Sequence, residues 1–275
     1  MEIQGFEGVP DGTFRRLTGV RKRTFSEMAV VLGNAEAFHN ARGGQPNHLA
    51  VETRLLMTLE YWREYRTYLH IGHSDGMSDR TAYRNIRWCE DARITRGALP
   101  LPGKQALVKR DMHDKSVLID ATETPVARPP KQQRRHDSGQ NKRHTLKTQI
   151  VVDKATDKII CVAHDAGRRP DCRLFKKSGV RRHLAREAIV DTGYMGLQKL
   201  PGKTTIPKQR SQKNPLSAED TRKNRQISKD RVPAENVIAW VKRFTIVSDR
   251  YRNRRKRFGL RFALIAAAYN RDVVP

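Results

Sequence analysis

Twice in this chain a short apolar run ends on an aspartate: Val117-Leu-Ile-Asp120 and Ala188-Ile-Val-Asp191. Runs of this length and composition read as short buried strands. A carboxylate at the end of such a strand is costly unless a cation or hydrogen bonds neutralise it. Two of them ask for a sheet that brings them together and for positive charge nearby. The stretch between them keeps a strand-like period. His144 to Asp153 and Lys158 to Asp165 are β-rich and are joined by Lys154-Ala-Thr-Asp157, a hairpin by its turn residues. Asp171 to Ser178 reads as a helix, and Thr204-Thr-Ile-Pro207 as a last short strand.

A third acid comes from a helix. The segment Arg231-Val-Pro-Ala-Glu235-Asn-Val-Ile-Ala-Trp-Val-Lys242-Arg-Phe is expected to open at Pro233, where a missing N–H costs nothing. The polar, basic residues 208–232 lead into it. With Glu235 at zero and about 100° per residue, Lys242 falls near 340°, and Val237, Val241 and Phe244 cluster at about 180–240°. One face can pack on a sheet while the other carries an acid and a base. An ordinary amphipathic surface helix has the same look, so the three acids have to be weighed together. Three carboxylates meeting at one point repel each other unless divalent cations sit between them, and hard oxygen ligands select Mg²⁺ or Mn²⁺. Two such ions roughly 4 Å apart suit an in-line phosphoryl displacement.

The first hundred residues read as helical. Thr24 to Leu32 makes a short helix, and Leu49 to Tyr65 another, with Leu55, Leu59 and Trp62 on one face. The run Arg66 to His73, the turn Ser74-Asp-Gly-Met77 and a second helix from Ser78 to Glu90 have the parts of a helix-turn-helix. In that second helix Ala82, Ile86 and Cys89 face inward, and Arg80, Thr81, Arg84 and Arg87 face outward, where a recognition helix meets DNA. Residues 95–115 read as a linker with a boundary near 100–113, which divides the chain into a helical domain at 1–105 and a mixed α/β domain at 113–275.

Lys and Arg number 55 against 29 Asp and Glu, a formal net charge of +26. Charge on this scale predicts attraction to a polyanion, nucleic acid first. Its densest stretches are the loop with Lys131, Arg134, Arg135, Lys142 and Arg143, and the tail with seven Lys/Arg between 250 and 261. Phe258, Phe262, Ile265 and Tyr269 give that tail an apolar stripe. The longest apolar run, Phe262 to Tyr269, is too short to span a bilayer, and the N-terminus does not read as a signal peptide. Cys89, Cys161 and Cys172 form no CxxC pair, so neither a disulfide framework nor a Cys zinc site is indicated. The expectation is a cytoplasmic, nucleoid-associated chain with no membrane partner.

On these residues the chain resembles the DDE transposases of bacterial insertion sequences, close to the insertion sequence five group. The motifs are Leu56-Met-Thr-Leu-Glu-Tyr-Trp-Arg-Glu-Tyr-Arg-Thr67, Ile119-Asp120-Ala-Thr-Glu-Thr-Pro, Lys142-Arg-His-Thr-Leu-Lys-Thr-Gln, Asp191-Thr-Gly-Tyr, the Glu235 helix and the tail from Arg250 to Phe262. The group's helix signature, Tyr-x-x-Arg-x-x-x-Glu-x(6)-Lys, is met by Arg231, Glu235 and Lys242, with Ser228 at the Tyr position. A second departure is Pro170 before Asp171, where relatives carry His.

The resemblance implies an RNase H-like catalytic domain behind the helix-turn-helix. It makes Asp120, Asp191 and Glu235 the metal-binding catalytic acids, with two Mg²⁺ or Mn²⁺ ions, and Arg231 and Lys242 DNA contacts. Arg80, Arg84, Arg87, Lys142 and Arg143 are expected at DNA as well. The implied reaction cleaves DNA at an element's terminal inverted repeats and joins the 3′-OH to target DNA, with a homodimer in the synaptic complex. Two other functions share these features: a non-catalytic DNA-binding regulator derived from a transposase, and an RNase H-like nuclease without strand transfer.

Overall fold

The computed structural model describes residues 8–95, 101–108, 116–128, 133–139, 142–180, 187–197, 203–211 and 215–273. Lys131 of the basic loop and the linker residues 96–100 and 109–115 lie outside them. In chain order the elements are α1 (Asp11–Thr18), α2 (Lys22–Asn40), α3 (Val51–Arg63), α4 (Tyr68–Ser74), α5 (Asp79–Thr95), β1 (Val117–Pro125), β2 (Thr145–Asp153), β3 (Ile159–Ala166), α6 (Asp171–Ser178), β4 (Ala188–Val190), β5 (Thr204–Thr205), α7 (Ala218–Val241), α8 (Thr245–Ser248) and α9 (Phe258–Asp272). They group into two compact units. One holds residues 1–100, 241–249 and 260–275, and the other 101–240 and 250–259.

The helical unit is built on the stripe expected from sequence: Leu55, Leu59 and Trp62 are fully buried, as are Ala82, Ile86 and Cys89 on α5. Each fully buried large apolar side chain contributes roughly 1.5–3 kcal/mol. The helix expected at 24–32 runs longer, from Lys22 to Asn40, and α1 precedes it. The helix-turn-helix is α4 and α5. Thr67 caps α4 by accepting the His70 N–H, and Ser78 opens α5 by accepting the Thr81 N–H at 3.1 Å. Gly76 turns the chain at φ +65°, and a Cβ on Gly72 would stand 2.7 Å from the Met77 carbonyl oxygen. Only glycine lets α4 and the turn come this close.

The second unit is a mixed sheet, which among the described residues has the order β3-β2-β1-β4-β5. β1, β2 and β3 are antiparallel neighbours, while β1 with β4 and β4 with β5 are parallel. Val117, Ile119, Val151, Ile160, Phe175, Val190 and Tyr194 belong to its core. This is the α/β, RNase H-like arrangement expected behind a helix-turn-helix.

Two expectations need correction. Asp120 does not end its strand: β1 continues to Pro125, because Ala121 to Pro125 stay paired with β2. Nor does the Glu235 helix open at Pro233. α7 begins at Ala218 and Pro233 lies inside it. A capping box starts α7: Ser217 Oγ accepts the Asp220 N–H at 3.0 Å, and Asp220 Oδ2 accepts the Ser217 N–H at 3.1 Å. The Ser217-x-x-Asp220 spacing was the sequence signal for this start.

Candidate active site and nucleic-acid interface

The parallel register of β1 and β4 pairs Ile119 with Val190, so Asp120 and Asp191 are the next residues on neighbouring strands. β4 stops there. Asp191 instead caps a 3-10 turn over Thr192–Tyr194, its Oδ1 accepting the Gly193 N–H at 3.0 Å and the Thr192 hydroxyl at 2.7 Å. Asp120 stays in its strand. Its Oδ1 accepts the Ala121 N–H at 2.8 Å, and its Oδ2 accepts from Arg231 Nη2 at 3.2 Å. Arg231 sits one helical turn before Glu235 on α7 and is about as shielded from solvent as Asp120.

Burial pushes the Asp120 carboxyl above the usual carboxylate range. Arg231 and the Ala121 N–H pull it back, and the charges of Asp191 and Glu235 push it further up. Glu235 itself is exposed and Asp191 half-buried. Tyr194, at the end of the turn that Asp191 caps, is buried. Burial raises its phenol well above normal, and Asp171, Asp120 and Asp191 add to the rise.

Sequence reasoning assigned no role to the neighbours of this cluster. Lys147, on β2, is buried between two carboxylates, Asp171 Oδ1 at 2.7 Å and Glu123 Oε1 at 3.4 Å. Asp171 in turn lies against the Asp191 turn, since a Cβ on Gly193 would stand 2.4 Å from Asp171 Oδ2. The sequence offered only a lysine inside a β-rich run, with nothing to name its partners. Such a charge needs partners.

Residues 119–268 match the family described as DDE superfamily endonuclease, and residues 47–99 match the helix-turn-helix of DDE superfamily endonuclease. The chain belongs to the DDE superfamily of endonucleases. A protein of Microchaete diplosiphon, named a probable transposase for insertion sequence element IS702, is 38% identical to this DDE endonuclease over 99% of both chains. A protein of Streptomyces albus G, named with similar reserve a transposase for insertion sequence element IS112, is 26% identical over 84% of each. No solved structure gives a significant match. This DDE endonuclease is thus an enzyme of the insertion-sequence transposase type, with a helix-turn-helix ahead of its catalytic sheet.

The residues expected at DNA in this DDE endonuclease fare differently from one another. Arg80 and Arg84 are exposed on α5, as expected. Arg87 is half-buried, over the Tyr83 ring and 3.8 Å from Asp91. Lys142 and Arg143 are exposed, and the Lys142 N–H donates to the Ser138 carbonyl at 2.9 Å. Lys242 is exposed, immediately after the last residue of α7. Arg231, expected at DNA, is held by Asp120. In the tail, Arg255 contacts His136, and Arg261 is buried with Glu90 at 2.6 Å, outside any solvent-facing stripe.

The donors of the three acids are of the hard-oxygen type that divalent cations select. Among the described residues, however, no three His, Cys, Asp or Glu side chains form a ready metal cage. In this arrangement the Arg231 guanidinium is the cation on Asp120. Among the same residues no helix is long and apolar enough to cross a membrane.

Proposed function

We propose that this DDE endonuclease cuts DNA at the ends of its insertion sequence and joins the freed 3′-OH to target DNA, with Asp120, Asp191 and Glu235 as its catalytic acids. The observation that carries the reading is geometric: the β1–β4 register sets Asp120 beside Asp191, and Arg231, one turn before Glu235 on α7, bonds to Asp120. These residues would hold two divalent ions, Mg²⁺ or Mn²⁺. The chemistry such ions supply when bound is polarisation of the phosphate and acidification of the attacking oxygen.

The chain's own residues account for the rest. Arg231 favours the charged form of Asp120 against the effect of burial and holds it in place. The Gly193 N–H and the Thr192 hydroxyl fix one oxygen of Asp191. Glu235, exposed on α7, would be open to substrate. Residues 1–105 would recognise the terminal inverted repeats through Arg80 and Arg84 on α5, with Arg87, Lys142, Arg143 and Lys242 at the backbone. Residues 113–275 would carry the chemistry. Synapsis of two ends would call for a homodimer working at the nucleoid.

The test is Mg²⁺-dependent nicking and joining of a terminal-repeat duplex by the wild type, Asp120→Asn and Glu235→Gln. Both variants should lose at least a thousandfold in rate and keep their DNA affinity. Unchanged cleavage would remove these acids from the mechanism. Cleavage without joining of a precut end would leave a nuclease, and salt-sensitive binding without metal-dependent chemistry a regulator.

A further inference from the structure

Beside the acids lies a cleft whose chemistry the catalytic reading does not use. It measures about 400 Å³ and is lined by Arg135, Arg168, Arg169 and Arg173 together with Ala166 and Pro170. Three of the four arginines are exposed and Arg169 is half-buried. Among the described residues no carboxylate lines the cleft. Asp165, just behind it, is shared between Arg169 and Lys177, the latter at 2.8 Å. One acid therefore faces several cations, and the cleft keeps a positive excess.

The walls are fixed by backbone bonds. The Arg168 N–H donates to the Arg135 carbonyl at 3.2 Å, tying the loop before β2 to the turn after β3. The Arg169 N–H donates to the Ala166 carbonyl at 3.0 Å, and the Pro170 carbonyl accepts from Arg173 and Leu174 at the start of α6. Guanidinium groups gathered on a rigid frame repel one another until an anion enters, and their planar forks match phosphate oxygens. The next residue after Pro170 is Asp171, which lies against Gly193 of the Asp191 turn. The cleft and the acids thus share one end of α6.

We infer that the Arg135–Arg168–Arg169–Arg173 cleft is a phosphate-binding subsite that holds the DNA backbone next to the bond being processed. This deepens the proposed function and rests on its premise that the acids act on DNA. The cleft supplies position and affinity, not base recognition, because guanidinium contacts to phosphate carry no sequence information.

The experiment uses the full-length chain and a mixed-sequence DNA duplex in EDTA, where no chemistry takes place. Affinity is measured against NaCl for the wild type, for Arg168→Ala/Arg173→Ala, and for Lys176→Ala/Lys223→Ala, which removes the same charge from exposed positions outside the cleft. Each lost phosphate contact lowers the slope of log K against log salt by about 0.9. The cleft pair should therefore lower the slope by about 2, and the control pair by less than half as much. Equal slopes for the two pairs, or a wild-type slope for the cleft pair, would overturn the inference. Urea unfolding verifies that the variants are folded, and Arg168→Gln/Arg173→Gln stands in if the alanines fold poorly. Because the readout precedes catalysis, a normal Asp120→Asn phenotype with an unchanged slope sinks the subsite alone. Cleavage by Asp120→Asn with a lowered slope sinks the catalytic assignment alone.

Discussion

Asp120 meets Arg231 at 3.2 Å with both side chains largely out of water, and the pair spans 111 positions of sequence. Removing one partner of such a pair strands the other charge. Arg231→Met should therefore destabilise the chain by about 2 kcal/mol, less than for a fully buried pair because some solvent reaches both groups. Urea unfolding at neutral pH checks this, and an unchanged midpoint would show that the pair adds nothing. A second residue-scale prediction concerns His164, whose ring packs edge-on against Phe258 and which burial lowers to about 4. Its folded pKa lies below the ordinary value of 6.5, so the unfolded chain binds more protons between the two. Stability from this group is full above 6.5 and is lost as pH falls towards 4, by about 3 kcal/mol at most. His164→Gln should flatten the unfolding profile in that window, and a parallel profile would sink the assignment. The neighbouring places of Asp120 and Asp191 in the sheet were legible because an aspartate in an apolar run is conspicuous. Lys147 and Asp171 were not, because their meaning lies in a contact across 24 positions that no local spacing encodes.

Among the elements, α7 shows most clearly where local rules mislead. Proline usually stands in the first turn, and that preference put the helix start at Pro233. The start instead lies at the capping box of Ser217 and Asp220, where Lys208 and the Ser217 N–H hold the Asp220 carboxyl down to about 2. Pro233 then leaves the Lys229 carbonyl without its i+4 donor. Pro233→Ala restores that donor and relieves the ring, worth up to about 3 kcal/mol, and returns roughly 0.4–1 kcal/mol of chain entropy to the unfolded state. The net expectation is a chain more stable by about 1–2 kcal/mol in urea. A loss of stability would mean that the proline ring's own packing outweighs the bond. The strands were easier to read than α7. Their alternation of apolar runs and turn residues is set locally, whereas the extent of β1 beyond Asp120 is set by β2, which pairs with it as far as Pro125.

On the scale of the whole chain, the compact units do not follow the sequence order that the linker suggested. The helical unit includes residues 241–249 and 260–275 as well as 1–100. Phe244 lies so close to the turn between α1 and α2 that a Cβ on Gly19 would stand 2.5 Å from its ring. Asp272 accepts the Arg21 N–H at 2.8 Å and the Thr24 hydroxyl at 3.0 Å. Arg261 closes on Glu90 at 2.6 Å, with Trp62 donating to the same oxygen at 3.2 Å. No local pattern announces such partners, since each apolar stripe says only that it will be covered. A fragment of residues 1–105 would lose Phe244, Ile246, Phe262, Ile265 and Tyr269, all buried. At roughly 1.5–3 kcal/mol each, they approach the total stability of a typical domain, about 5–15 kcal/mol. Glu90 would also be left buried without its cation, a further cost of about 3–5 kcal/mol. The fragment should show weak helicity by circular dichroism and no cooperative melting, and fusing residues 241–275 to it through a flexible linker should restore both. Cooperative unfolding of 1–105 alone would mean that α8 and α9 only decorate a core that the first five helices already complete.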